Sequence, residues 1–120
     1  MNRVELHGGL VGEPRYGFTK KGRAFVSCTL AVSEVEWDPQ LRQEVVATSF
    51  IRLQMWGGMA EQLMELDPGK GTKLWVVGRL DQSEWEDQEG KKEKRTRVNV
   101  SWFIPTDPKY RPGSSQPDTD

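Results

Sequence analysis

Hydrophobic and polar residues alternate along most of this chain, which predicts strands more often than helices. Val4 and Leu6 open a first strand that ends near Val11, where Gly12, Glu13 and Pro14 signal a turn. After Lys20, Lys21 and Gly22, a long second strand sets Ala24, Val26, Cys28, Leu30 and Val32 against Phe25, Ser27, Thr29, Ala31 and Ser33. A polar loop is predicted from about Glu34 to Glu44, carrying Trp37 beside Asp38 and Pro39. The third strand runs from Val45 to Trp56 and stops at Gly57 and Gly58. Met59, Ala60, Leu63, Met64 and Leu66 then have helical spacing, and Asp67, Pro68 and Gly69 end that short helix. A fourth strand, Thr72 to Asp81, places Leu74, Val76, Gly78 and Leu80 opposite Lys73, Trp75, Val77 and Arg79. The fifth, about Lys94 to Phe103, carries Thr96, Val98, Val100 and Trp102 in alternation.

Five strands with one helix between the third and fourth predict an all-β chain built as a five-stranded barrel of the oligonucleotide-binding (OB) type. The third strand says most about function. Phe50, Arg52, Gln54 and Trp56 share one face, while Ala47, Ser49, Ile51, Leu53 and Met55 share the other. The second set supplies ordinary core. The first set, two rings with an arginine and an amide between them, suits a strand of nucleobases better than bulk water.

Composition narrows the alternatives. The chain has 120 residues, enough for one modest core without disulfides or metal. No apolar run approaches the roughly 18 residues that cross a bilayer, and the amino terminus has no hydrophobic signal core, so residence in the cytoplasm is expected. Cys28 sits in the alternating pattern where a small buried hydrophobe serves, and His7 lies among Leu6, Gly8 and Gly9. One histidine and one cysteine make no zinc set. The carboxylates cluster in polar loops, without a phosphate cradle or a nucleophile beside a base, so neither an enzyme nor a cofactor is expected.

A formal charge of -1 is unusual for a nucleic-acid binder, so its distribution decides more than its sum. Glu84, Glu86, Asp87 and Glu89 precede a basic run of Lys91, Lys92, Lys94, Arg95 and Arg97 broken only by Glu93. A solvated hairpin of mixed charge explains that segregation as well as a binding loop does.

Several short motifs, taken in order, resemble the bacterial single-stranded DNA-binding proteins: Asn2-Arg3-Val4, Gly8-Gly9-Leu10 with Glu13-Pro14, Gly22-Arg23-Ala24 and Leu30-Ala31-Val32-Ser33. Trp56-Gly57-Gly58-Met59-Ala60-Glu61, Gly69-Lys70-Gly71, Val76-Val77-Gly78-Arg79-Leu80 and Trp85-Glu86-Asp87-Gln88-Glu89-Gly90 continue the series to about Ile104. The resemblance implies binding of single-stranded DNA with little sequence preference in replication, recombination or repair, in the cytoplasm and on the nucleoid, by a homo-oligomer, either tetramer or dimer. It puts base-stacking rings at Trp37, Phe50, Trp56 and Trp85 and basic contacts at Arg3, Lys70 and Lys73, with Arg52 and Arg79 beside them. Lys91 and Lys92 of the basic run complete the candidate set. Trp75 and Trp102 are assigned to barrel packing or a subunit contact. Ile51 departs from the family's pattern, standing where many members carry a histidine linked to assembly, and Gln82, Ser83 and Glu84 stand where relatives usually place basic residues.

The binding domain is expected to span residues 1–104. Residues 105–120, rich in Pro, Ser and Asp, cannot bury enough apolar surface to order themselves and are expected to form a flexible tail. The resemblance also implies replication or repair proteins as partners, which relatives recruit through an acidic tip closing with hydrophobic residues; of that pattern the sequence keeps Asp118 and Asp120. A primosome-type adaptor, binding mainly proteins and touching nucleic acid weakly, is the alternative. It gains from the balance of 15 Lys and Arg against 15 Asp and Glu within residues 1–104.

Overall fold

The computed structural model describes residues 1–110, and the elements follow the expected order. They are β1 (Val4–Phe18), β2 (Ala24–Asp38), β3 (Gln43–Trp56), α1 (Gly57–Leu66), β4 (Lys73–Glu86) and β5 (Lys92–Pro105), then a short 3-10 turn at Pro108–Tyr110. The strands close into a barrel in the order β1-β2-β3-β5-β4. β3 meets β5 in parallel, at Leu53 beside Val98 and Gln54 beside Asn99, and the other pairs are antiparallel. Val26 and Leu30 of β2, Leu53 and Met55 of β3, Leu74 and Val76 of β4 and Val98 of β5 fill the barrel, and Ala60 and Leu63 of α1 pack into the same core.

Closure depends on β1 serving two neighbours. Val4 to Gly9 pair with β4, and Gly9 to Phe18 pair with β2. At the changeover β1 passes so close to β2 that a Cβ on Gly8 would collide with the Ala31 carbonyl.

Three sequence expectations need correction. Gly12, Glu13 and Pro14 do not end the first strand: they bulge out of it, three residues opposite Cys28 alone, and the ladder resumes at Arg15 opposite Ser27. Gly12 takes a positive φ of 74° there, and the buried Pro14, which has no N–H to donate, falls where the ladder is already broken. The predicted loop from Glu34 to Glu44 is mostly strand, because β2 and β3 stay paired out to Asp38 opposite Gln43. The alternation of β5 slips by one residue at Ser101, which has no partner on β4; its hydroxyl donates to the Val77 carbonyl at 3.1 Å. Phe103 therefore turns toward the core and Trp102 turns out to water, off the Val98 and Val100 face.

Beyond Ile104, Pro105 completes β5, and the Thr106 N–H donates to the Lys73 carbonyl at 3.0 Å. The remainder of the expected tail, residues 111–120, lies outside the described residues. Among the described residues no helix is long and apolar enough to cross a membrane.

Gly8→Ala is expected to destabilise the chain by about 1–3 kcal/mol, the usual range for forcing an atom into a packed site. Denaturant unfolding measures it, and an unchanged midpoint would contradict the close approach of β1 to β2.

Candidate nucleic-acid interface

Pairing of β2 with β3 runs through 14 rungs without a register shift, so one face of both strands is fixed along the whole ladder. Phe25 stands opposite Trp56, Ser27 opposite Gln54, Thr29 opposite Arg52, Ala31 opposite Phe50, Ser33 opposite Thr48, Val35 opposite Val46 and Trp37 opposite Glu44. Trp37 thus shares the face of Phe50 and Trp56, on a strand rather than in a loop. At roughly 3.3 Å per residue, Phe50 lies about 20 Å from each of the other two rungs along the ladder. Small partners keep the middle open: Phe50, beside Ala31, is 66% exposed, and Trp37 is 62% exposed. Gln54 does not share that openness. It is 8% exposed, buried where β3 meets β5.

The floor of this face, at Ser27, Thr29, Arg52 and Gln54, opens into a cleft of about 570 Å³. One wall is the β1 bulge with Glu13 and Arg15; the other is the β4–β5 hairpin with Ser83, Trp85, Arg95 and Arg97. Four guanidiniums and one carboxylate line it, so a chain of charge -1 carries a positive cleft. Arg97 Nη2 lies 3.5 Å from Asp81 Oδ2, which also accepts from Asn99 Nδ2 at 2.9 Å. Arg97 Nε is buried with no acceptor among the described residues. Such a group has a hydrogen bond to offer an anionic ligand oxygen.

A second groove of about 470 Å³ lies beyond Gln54 and Asn99, lined by Arg3, Trp56, Arg79 and Asn99. Asn2 holds Arg3 there through reciprocal bonds with the Leu80 backbone: its Nδ2 donates to the carbonyl and its Oδ1 accepts from the N–H, both at 2.8 Å.

The expected residues are therefore distributed unevenly. Arg52 and Trp85 border the first groove, Arg3, Trp56 and Arg79 the second, and Phe50 and Trp37 the ladder face that runs on from them. Lys70 and Lys73 stand at the α1-to-β4 connection, outside the lining of both grooves. Lys91 lies in the hairpin turn. Lys92 pairs across from Glu86, two rungs from where Lys94 meets Glu84, and these alternate with the groove rungs Ser83 opposite Arg95 and Trp85 opposite Glu93. The cations that reach the cleft from this hairpin are therefore its arginines.

From the basic run the sequence pointed to Lys91 and Lys92 rather than to Arg95 and Arg97, and Arg15 was not among the candidates. For Arg95 and Arg97 the signal was partial: alternation puts them on one face, and the pairing of Trp85 with Glu93 decides that it is the groove face. Arg15 had no such signal, because its direction depends on the bulge. Trp75 and Trp102 meet edge to face at 5.6 Å on the outer surface of β4 and β5, half-exposed, with Trp75 Nε1 donating to Glu5 Oε2 at 2.8 Å. They are not barrel packing.

Residues 1–104 match the model of the single-strand binding protein family. The chain belongs to that family. Among curated single-strand binding proteins, the single-stranded DNA-binding protein of Thermus aquaticus is 35% identical over 120 residues, covering 99% of this chain and 43% of the relative. That of Deinococcus radiodurans is 35% identical over 102 residues, covering 84% and 33%. The chain thus spans less than half the length of these relatives. A solved deletion mutant of the Thermus aquaticus single-stranded DNA-binding protein superposes with a TM-score of 0.79 at 29% identity, covering 92% of this chain and 53% of that one. A Plasmodium falciparum single-strand binding protein, solved in complex with single-stranded DNA, shares the fold with a TM-score of 0.79 at 21% identity, covering 89% and 96%.

Within this family member, Cys28 borders the cleft but is buried, and burial pushes its thiol up to about 12. It is neutral and unreactive near neutral pH. A thiol reagent at about pH 8, close to the free-thiol pKa, is expected to leave the folded chain untouched and modify one thiol after unfolding. Prompt modification of the folded chain would contradict that burial. Trp56 is set by a second contact: its ring lies 6.0 Å from that of Phe25, which in turn covers Gly17 so closely that a Cβ there would press on the ring. Gly17→Ala is expected to shift the near-ultraviolet circular dichroism of the indoles while costing about 1–3 kcal/mol. An unchanged spectrum would show that Phe25 does not position Trp56.

Proposed function

We propose that this chain binds single-stranded DNA without strong sequence preference, protecting it in replication, recombination or repair, with no catalytic step and no cofactor. The observation that carries this is the convergence of four guanidiniums in one cleft with an aromatic ladder face leading away from it. Rings accept any base, worth roughly 1–3 kcal/mol per stacked base, and guanidiniums accept any phosphate. The names of the curated relatives support the same reading. Trp37, Phe50, Trp56 and Trp85 are the proposed stackers, and Arg15, Arg52, Arg95 and Arg97 the proposed phosphate contacts, with Arg3 and Arg79 serving the second groove. Lys70, Lys73, Lys91 and Lys92 add to the field around the strand rather than to the cleft itself.

The protein acts as a homo-oligomer in the cytoplasm in this reading. The half-exposed Trp75, Trp102 and Ile104 on the outer sheet face give a second copy apolar surface to cover. The adaptor alternative rested on a neutral domain, and the segregation of arginine into one cleft removes that support.

Titration with oligo(dT) while following indole emission tests the proposal. Quenching is expected, with log affinity falling against log salt at a slope of about -3 for a strand on the four cleft arginines and about -4 for one that also reaches Arg3 and Arg79. Phe50→Ala is expected to cost about 1–3 kcal/mol in affinity. Absence of binding at low salt would refute the proposal.

A further inference from the structure

Two of the candidate stacking rings are already occupied. The Arg95 guanidinium carbon stands 4.8 Å from the ring centroid of Trp85, and that of Arg23 stands 4.8 Å from the centroid of Trp56. The two arginines come from unrelated places, one from β5 and one from the turn before β2, yet each covers an indole that borders a groove. Neither is held by an ion pair among the described residues. Trp56 also has Phe25 at 6.0 Å, so Arg23 occupies a ring that already has one aromatic neighbour. Phe50, on the same face of the ladder, has no such cover among the described residues and is 66% exposed.

We infer that Arg23 and Arg95 act as latches on these indoles, each leaving its ring when a nucleobase arrives and passing to the phosphate of the incoming strand. This rests on the single-strand reading above. A guanidinium over the exposed Trp85 ring or the half-buried Trp56 ring is held more weakly than a stacked base, so a base can displace it. The freed guanidinium keeps its charge and its planar fork, which suits a phosphate. The exchange gains more when the aromatic ligand brings an anionic backbone with it, because the freed guanidinium then recovers a partner. The latched indoles thus discriminate against uncharged aromatic ligands, whereas Phe50 does not, and the arginines are positioning residues that set this preference.

The test uses the full chain with two oligo(dT) strands of about 12 nucleotides, within the footprint of an OB barrel, one with phosphodiester and one with uncharged methylphosphonate linkages. Arg23→Ala and Arg95→Ala are each expected to weaken binding of the charged strand and to flatten its salt slope by about 0.7. Each is expected to tighten binding of the uncharged strand by about two- to fivefold, the strength of the contact no longer to be broken. Phe50→Ala weakens both. Arginine variants that weaken binding of the uncharged strand, or leave it unchanged or undetectable, would overturn the latch. A wild-type chain that fails to bind even the charged strand would overturn the single-strand reading instead.

Discussion

The antiparallel ladder between β2 and β3 is the constraint on which the rest depends. Because side chains alternate strictly, a slip of one residue would carry Leu53 and Met55 into water and press Arg52 and Phe50 into the barrel. Each buried aliphatic side chain is worth about 1.5–3 kcal/mol, and stripping the Arg52 guanidinium of water would cost more. The core therefore pins the working face. Phe50, Arg52 and Trp56 stand where they do because Ile51, Leu53 and Met55 are held on the other side.

Breaks in the other ladders supply what a flat sheet cannot. The bulge at Gly12 to Pro14 lets β1 carry Glu13 and Arg15 to the rim of the cleft, and the extended β4–β5 hairpin brings Trp85, Arg95 and Arg97 to face them. Ser101, unpaired in β5, reverses the phase of the last residues so that Phe103 packs inward while Trp102 joins Trp75 outside. The barrel thus has two aromatic faces of different character. One is arginine-rich and concave, and the other carries an edge-to-face tryptophan pair beside Glu5.

Much of this was legible in the sequence, for reasons that particular residues make plain. The barrel order followed from alternation and from the glycines that stop β3, and the division of β3 into a core face and an outer face followed from the two-residue period. Gln54 escaped that rule because its burial comes from β5, a neighbour distant in sequence. Trp37 was read as a loop residue because Glu34, Glu36 and Asp38 look like solvated turn chemistry, yet all three lie on the face opposite its own. Glycine and proline misled at positions 12 and 14, since the same pair that ends a strand can also bulge it. Charge was the least legible quantity: 15 cations and 15 anions within residues 1–104 sum to nothing, and only the pairing of the hairpin separates Arg95 and Arg97 from Lys92 and Lys94.

Five tryptophans divide between the two faces, and their indole N–H signals report on each separately. In a nitrogen–proton correlation spectrum recorded as oligo(dT) is added, the account predicts that the signals of Trp37, Trp56 and Trp85 move while those of Trp75 and Trp102 stay near their starting positions. Movement confined to Trp75 and Trp102, with the other three unchanged, would contradict it.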